Sequence, residues 1–114
     1  MNDFQDTIDG LFQEIEIRLS AKLLTVGLRI HSQVFTGKDF GSRYTEWRHE
    51  VDKYALRLIW DGKEGWFLVE ESAIMGTKDP LSWADIVFVP VDKTQLKNVS
   101  YKSWLVEDII KEVK

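Results

Sequence analysis

The chain of 114 residues contains no cysteine and only two histidines. Without cysteine it has no disulfide framework, no thiolate zinc site and no cysteine nucleophile. Its longest apolar run is far short of the roughly 20 residues that a transmembrane helix needs. Its first residues also lack the basic and apolar regions of a signal peptide. These absences predict a cytoplasmic protein that has no membrane partner.

Motifs of common enzyme classes are also missing. The sequence has no Gly-x-Ser-x-Gly elbow of a serine hydrolase and no His-Glu-x-x-His pair of a zinc protease. Asp39-Phe40-Gly41 matches the magnesium-binding tripeptide of kinases, but the glycine-rich and catalytic loops of that family are absent. Thr36-Gly37-Lys38 lacks the spacing of a phosphate loop. We therefore predict no catalytic residue, no metal ligand and no cofactor, which favours a protein that is not an enzyme.

One cluster of titratable residues depends on the local structure. His49 lies among Glu46, Glu50 and Asp52, and a histidine beside carboxylates is able to act as a general base or a metal ligand. On a helix Glu46, His49 and Glu50 would cluster, whereas on a strand the acidic side chains share the face opposite His49. Residues 44–53 fit either period, and we favour a single strand that runs on into the next segment.

Residues 54–71 carry the clearest structural pattern in the sequence. Two apolar runs rich in β-forming residues flank Asp61-Gly62-Lys63-Glu64-Gly65, which is a strong hairpin signal. A two-residue turn in this loop predicts three cross-strand pairs: Trp60 with Phe67, Leu58 with Val69, and Arg57 with Glu70. The second face of the hairpin keeps Ile59, Trp66 and Leu68. We therefore expect part of that face to be covered.

The order of the other elements predicts an α+β fold. Apolar residues at helical spacing predict an amphipathic helix over residues 3–24 and a second helix over 101–113. Strands are expected at 25–35, from about 47 into the hairpin, in the second half of the hairpin, and at 86–89. We expect a single domain over residues 1–114, with a mainly antiparallel four-stranded sheet. The N-terminal helix packs on one face, and the C-terminal helix either joins that layer or covers the other face.

The acidic residues are concentrated at the start of the chain. Residues 1–17 contain five acidic side chains and no lysine or arginine, so the net charge of −4 arises from this segment. On the predicted helix Asp6, Asp9, Gln13 and Glu16 lie away from the apolar stripe, and we name these four residues the acidic strip. A strip of this sign suits a basic partner and disfavours nucleic acid and anionic lipid.

The chain has five tryptophans, and their positions suggest two roles. Trp60 and Trp104 fit core positions of the hairpin and the C-terminal helix. Trp66 and Trp83 lie beside a turn or in the connection before the last strand, where a large amphipathic ring often marks a contact surface. These two rings are therefore candidate contact residues.

Together the patterns predict a small acidic non-enzymatic protein-binding domain, such as an inhibitor or immunity-type protein that covers a basic protein partner. The predicted partner-binding residues are the acidic strip and two tryptophans: Asp6, Asp9, Gln13, Glu16, Trp66 and Trp83. One alternative is a small-ligand-binding or catalytic α+β domain with a pocket between sheet and helix, whose polar groups would include Arg29, His31 and Tyr54. The other alternative is a homodimer in which sheet faces pack together.

Overall fold

A computed structural model of the protein describes residues 3–36, 40–49, 51, 54–73 and 82–113. Helix α1 (Asp3–Leu24) precedes five strands, which form one sheet. The strands are β1 (Arg29–Thr36), β2 (Ser42–His49), β3 (Tyr54–Asp61), β4 (Trp66–Ala73) and β5 (Ala84–Pro90), and helix α2 (Val99–Glu112) follows them. Each strand pairs antiparallel with the next one. The prediction of an α+β fold with an antiparallel sheet and a helix at each end is confirmed.

The sheet has five strands where the sequence predicted four, because residues 42–49 form a strand of their own. We expected one long strand that continued into the hairpin, but β2 is a separate strand that pairs with both β1 and β3. Its middle contains Thr45 and Glu46, which are polar and yet buried. This strand therefore lacks the apolar alternation by which a half-buried strand is recognised in a sequence.

Strand β1 begins later than predicted because the chain first closes the end of α1. The Leu28 N–H donates to the Leu23 carbonyl at 3.0 Å. Gly27 has a φ of 87°, the left-handed conformation with which many helices end and which favours glycine. The strand proper then starts at Arg29 rather than at Thr25.

The predicted register of the hairpin is confirmed, although a loop of four residues, 62–65, connects the strands where a two-residue turn was expected. Strands β3 and β4 pair Trp60 with Phe67, Leu58 with Val69, and Arg57 with Glu70. The Asp61 carboxylate accepts hydrogen bonds from the N–H groups of Lys63 and Glu64 at 3.1 and 3.0 Å. Gly65 has a φ of 82°, which explains why glycine occupies the last position of the turn.

The core lies on one face of the sheet. That face contributes fully or nearly buried side chains from the four strands β2 to β5: Trp47, Leu56, Leu58, Trp60, Phe67, Val69, Val87 and Val89. Both helices pack over it with their apolar stripes, which include Ile8, Ile15 and Leu19 of α1 and Leu105 and Ile109 of α2. The C-terminal helix therefore joins the layer of the N-terminal helix, which was one of the two predicted arrangements. The opposite face, which we name the open face, is covered by neither helix.

Helix α2 is held against α1 by polar contacts at its outer edge. Arg18 donates two hydrogen bonds to the Glu107 carboxylate at 2.5 and 3.1 Å, and the Lys22 ammonium donates to the Ile110 carbonyl at 2.8 Å. Trp104 lies on the outer side of α2 and is 53% exposed. The expectation that Trp104 belongs to the core is therefore wrong, whereas Trp60 is fully buried as expected.

Candidate functional site

A continuous row of apolar side chains crosses the open face. The antiparallel register places five residues, one from each strand, side by side: Val34, Tyr44, Ile59, Leu68 and Phe88. We name these five residues the apolar row. Neighbouring strands lie about 4.8 Å apart, so the row extends about 19 Å from β1 to β5. Side chains directly opposite each other on adjacent strands are in contact range, which makes the row one surface.

The apolar row remains accessible to solvent along its whole length. The four side chains on β1 to β4 are half-buried, and Phe88 on the edge strand is 49% exposed. A contiguous exposed apolar surface on a folded domain often marks a contact site. The sequence identified Ile59 and Leu68 through the second face of the hairpin, but it missed Val34, Tyr44 and Phe88. Their membership depends on the register of β1, β2 and β5. The glycine-containing segment at residues 36–42 predicts a loop between two elements but does not specify that register.

Trp66 extends the apolar row on the side of the hairpin turn. Its ring meets the Phe88 ring edge to face, with 4.8 Å between the centroids, and it pairs with Pro90 across β4 and β5. The ring is half-buried, and its Nε1 has no hydrogen-bond partner among the described residues. Trp66 therefore lies on the open face beside the row.

The other side of the apolar row carries ion pairs. The Arg57 guanidinium donates to Glu70 Oε1 from Nη2 at 2.7 Å and from Nε at 3.2 Å. On β2 the Arg48 Nε donates to Glu46 Oε2 at 2.5 Å. These pairs are well shielded, since the side chains of Glu70 and Glu46 are 14% and 8% exposed.

Trp83 lies over the ion pair between Arg57 and Glu70. The Arg57 guanidinium carbon is 4.0 Å from the centroid of the Trp83 ring and 5.5 Å from that of Tyr44. Trp66 and Trp83, the two rings that the sequence suggested as contact residues, therefore lie on the same face of the sheet. They flank the apolar row on opposite sides. The open face combines an apolar centre with two aromatic residues and paired charges.

The acidic strip lies on another part of the molecule, along the flank of α1. Its four residues are brought together around a cleft of about 430 Å³. Asp9 accepts a hydrogen bond from Arg43 Nη1 at 3.1 Å, and Glu16 accepts from Gln33 Nε2 at 3.0 Å and from the Thr45 hydroxyl. Two of the three carboxylates of the strip therefore have partners on the sheet.

The Arg43 guanidinium that pairs with Asp9 is held by two aromatic rings. It lies 4.9 Å from the Phe12 centroid and 5.1 Å from the Phe35 centroid. Asp6 and Gln13 are exposed, and Asp6 has no hydrogen bond or ion pair with the described residues. The unpaired charge of the strip is therefore that of Asp6.

The three polar residues suggested for a small-ligand pocket do not converge. Arg29 and His31 line a cleft of about 240 Å³ near the start of β1. Tyr54 lies outside that cleft, and its hydroxyl donates to Glu71 Oε2 at 2.6 Å. Burial, together with this hydrogen bond and the charge of Glu71, raises the pKa of Tyr54 well above its ordinary value. A phenol held in this way acts as a structural donor.

The histidine cluster is resolved by the strand structure of β2. Because β2 is a strand, Glu46 and His49 point to opposite faces of the sheet. Glu50 and Asp52 lie outside the described residues, as do residues 37–39 of the two loop motifs. In the described part of the chain no group of histidines and carboxylates is arranged to hold a metal ion.

No protein-family model, curated protein or solved structure matches this chain. The function is therefore inferred from the geometry of the surface itself. Within the described ranges, no helix is both long and apolar enough to cross a membrane.

Proposed function

We propose that this chain is a non-enzymatic protein-binding domain and that its open face contacts the protein partner. The observation that carries the proposal is the apolar row, in which all five strands of the sheet contribute one side chain. Small-molecule sites are enclosed concavities of about 300–1,000 Å³. A row about 19 Å long on a sheet instead fits the extended surface of another protein.

The distribution of polarity on the open face supports the same proposal. Protein interfaces commonly have an apolar centre, aromatic residues at the strongest contacts and a polar rim. The apolar row forms such a centre, with Trp66 and Trp83 beside it. The ion pairs Arg57–Glu70 and Arg48–Glu46 form the polar border. Because these charges are already paired, the approach of a partner leaves none of them isolated.

A crosslinking experiment tests this proposal and captures the partner in the same step. A benzophenone amino acid is placed at Phe88 and, as the matched control, at Trp104 on α2, because these two side chains are 49% and 53% exposed. We expect the probe at Phe88 to capture a specific protein in the native host and the probe at Trp104 not to capture it. The captured protein is then purified for a binding measurement.

The binding measurement compares two truncations of similar exposure. Phe88→Ala should weaken binding of the purified partner at least tenfold, or about 1.4 kcal/mol, as truncation of an interface anchor does. Trp104→Ala should leave the affinity unchanged. Equal capture from both probe positions, or an affinity that Phe88→Ala does not alter, would refute the open face as the binding surface.

A second candidate function is the more specific one of an acidic inhibitor or immunity-type protein that binds a basic partner. It is favoured by Asp6, which is exposed at the cleft of the acidic strip and unpaired among the described residues. Exposed carboxylates accelerate the approach of a cationic protein. Asp6→Lys should slow association with the captured partner at low salt and matter little at high salt. Asp6→Asn is the milder control, and a rate that is unchanged by both variants would eliminate this role.

A further inference from the structure

The geometry points to a second copy of this chain as the partner of the open face. This inference rests on the proposed function, because it names the protein that covers the apolar row. Closed two-fold dimers are the commonest assemblies of soluble proteins, and they need a surface that complements itself. The apolar row is centred on Ile59 of the middle strand, with two strands on each side.

The size of the open face agrees with a dimer interface. The strands contain seven or eight residues, which span about 26 Å at about 3.3 Å per residue, and the sheet is about 19 Å wide. The projected area is about 500 Å² per copy, or about 1,000 Å² for two copies, which is the lower limit for a specific interface. The open face of one copy is therefore matched in extent by the open face of another.

The charges select one orientation of the two copies. A two-fold axis parallel to the strands would place the charged side of one open face on the charged side of the other, so that Arg57 would meet Arg57. A two-fold axis along the apolar row exchanges the two sides instead. Arg57 then faces Asp61 of the second copy, and Glu70 faces the uncharged ring of Trp66, because Arg57 pairs with Glu70 and Asp61 pairs with Trp66 across β3 and β4. The second orientation opposes unlike charges and buries the row against itself.

The overall charge of −4 does not prevent this association. The acidic strip lies on the flank of α1, and α1 packs on the face of the sheet that carries the core. On the open face the carboxylates of Glu46 and Glu70 are neutralised by arginines within the same copy. The charges of these two acids are therefore balanced within each copy, and the net repulsion from the acidic strip acts between distant parts of the dimer.

The absence of cysteine allows a single introduced thiol to test the orientation. Phe88→Cys places one thiol at the exposed end of the apolar row, and Trp104→Cys is the control on α2. With the axis along the row, the two Phe88→Cys thiols face each other across the sheets, about 10 Å apart. With the axis parallel to the strands, the two thiols lie at opposite ends of the row and are also displaced by about 19 Å along it. A bismaleimide that spans about 10 Å should therefore link Phe88→Cys subunits and fail to link Trp104→Cys subunits.

The mass in solution tests the dimer itself. Light scattering after size exclusion should show twice the monomer mass of 13.3 kDa at micromolar concentration. Leu68→Lys puts a charge in the middle of the apolar row and should raise the dimer dissociation constant at least tenfold. Circular dichroism should stay unchanged, because Leu68 is only half-buried. Leu68→Met, which keeps the apolar contact, should preserve the dimer.

Each outcome separates the dimer from the proposed function. A chain that stays at 13.3 kDa up to millimolar concentration overturns the dimer, and so does a dimer that is insensitive to Leu68→Lys. If the Phe88 probe then captures a different protein, the open face remains a protein-binding surface and only the second copy is excluded. If that probe captures neither a second copy nor another protein, both proposals fail.

Discussion

Replacement of Leu58 by alanine tests the division of the sheet into a core face and an open face. Leu58 lies on the middle strand, is fully buried, and is flanked by Thr45 and Val69 on the neighbouring strands. Deletion of a buried leucine costs about 2–5 kcal/mol, depending on how far the site collapses. Here hydrogen-bonded strands on both sides prevent collapse, so we expect about 4 kcal/mol. That is a large part of the roughly 5–15 kcal/mol that stabilises a domain.

Urea denaturation followed by tryptophan fluorescence measures this loss. With a slope of about 1–3 kcal/mol per molar urea, the midpoint should fall by about 2 M. Leu68→Ala is the matched control, because Leu68 lies on the next strand but is half-buried on the open face. We expect it to cost about 1 kcal/mol. Equal losses for the two variants would refute the assignment of the two faces.

Three further predictions concern polar groups. The raised pKa of Tyr54 keeps its phenol protonated in the folded protein, whereas the phenol of the unfolded chain ionises above about pH 10. The folded protein should therefore lose stability above that pH, because ionisation favours the unfolded chain. Tyr54→Phe should remove this loss. The hydrogen bond from the Arg18 guanidinium lowers the pKa of Glu107. The ion pair therefore stabilises the fold above the ordinary carboxyl pKa and loses its effect as the pH falls through the acid range. Glu107→Gln should lower the thermal midpoint at pH 7 but not at pH 2. Arg43→Lys should cost about 1 kcal/mol in urea denaturation although the charge beside the helix is retained, because lysine does not stack on the two phenylalanine rings as a guanidinium does. The first prediction is contradicted if Tyr54→Phe leaves the loss of stability above pH 10 unchanged. The second is contradicted if Glu107→Gln lowers the thermal midpoint as much at pH 2 as at pH 7, and the third if Arg43→Lys leaves the urea midpoint unchanged.

The hairpin could be predicted because its signals are local. The turn residues at positions 61–65 and the alternation of the flanking residues together specify which side chains face each other, and the register from Trp60–Phe67 to Arg57–Glu70 followed from them. The strand at residues 42–49 could not be predicted in this way. It buries Thr45 and Glu46, and such side chains carry no apolar period.

The acidic strip shows why a helical wheel was not sufficient. A helical wheel shows which residues share one face of a helix, and the possible partners of an acid on that face are the residues at i+3 and i+4. By that rule Asp9 meets Gln13 and no base. In the fold Asp9 meets Arg43, which is 34 positions away in the sequence. Which charge of the acidic strip stays unpaired therefore depends on how α1 packs over β2, which the sequence did not specify.

The two proposed roles of the sheet, a core on one face and a binding surface on the other, depend on the same register. Leu58 and Ile59 are adjacent in the chain, and their side chains point to opposite faces. A slip of one residue would move Ile59 into the core and Leu58 to the open face, so fold and surface would change together. The ion pair Arg57–Glu70, which Trp83 covers, opposes such a slip. The slip would break the pair and turn the Arg57 side chain towards the apolar core. This shielded ion pair therefore does more than border the apolar row, since it also keeps the row on the side of the sheet that neither helix covers.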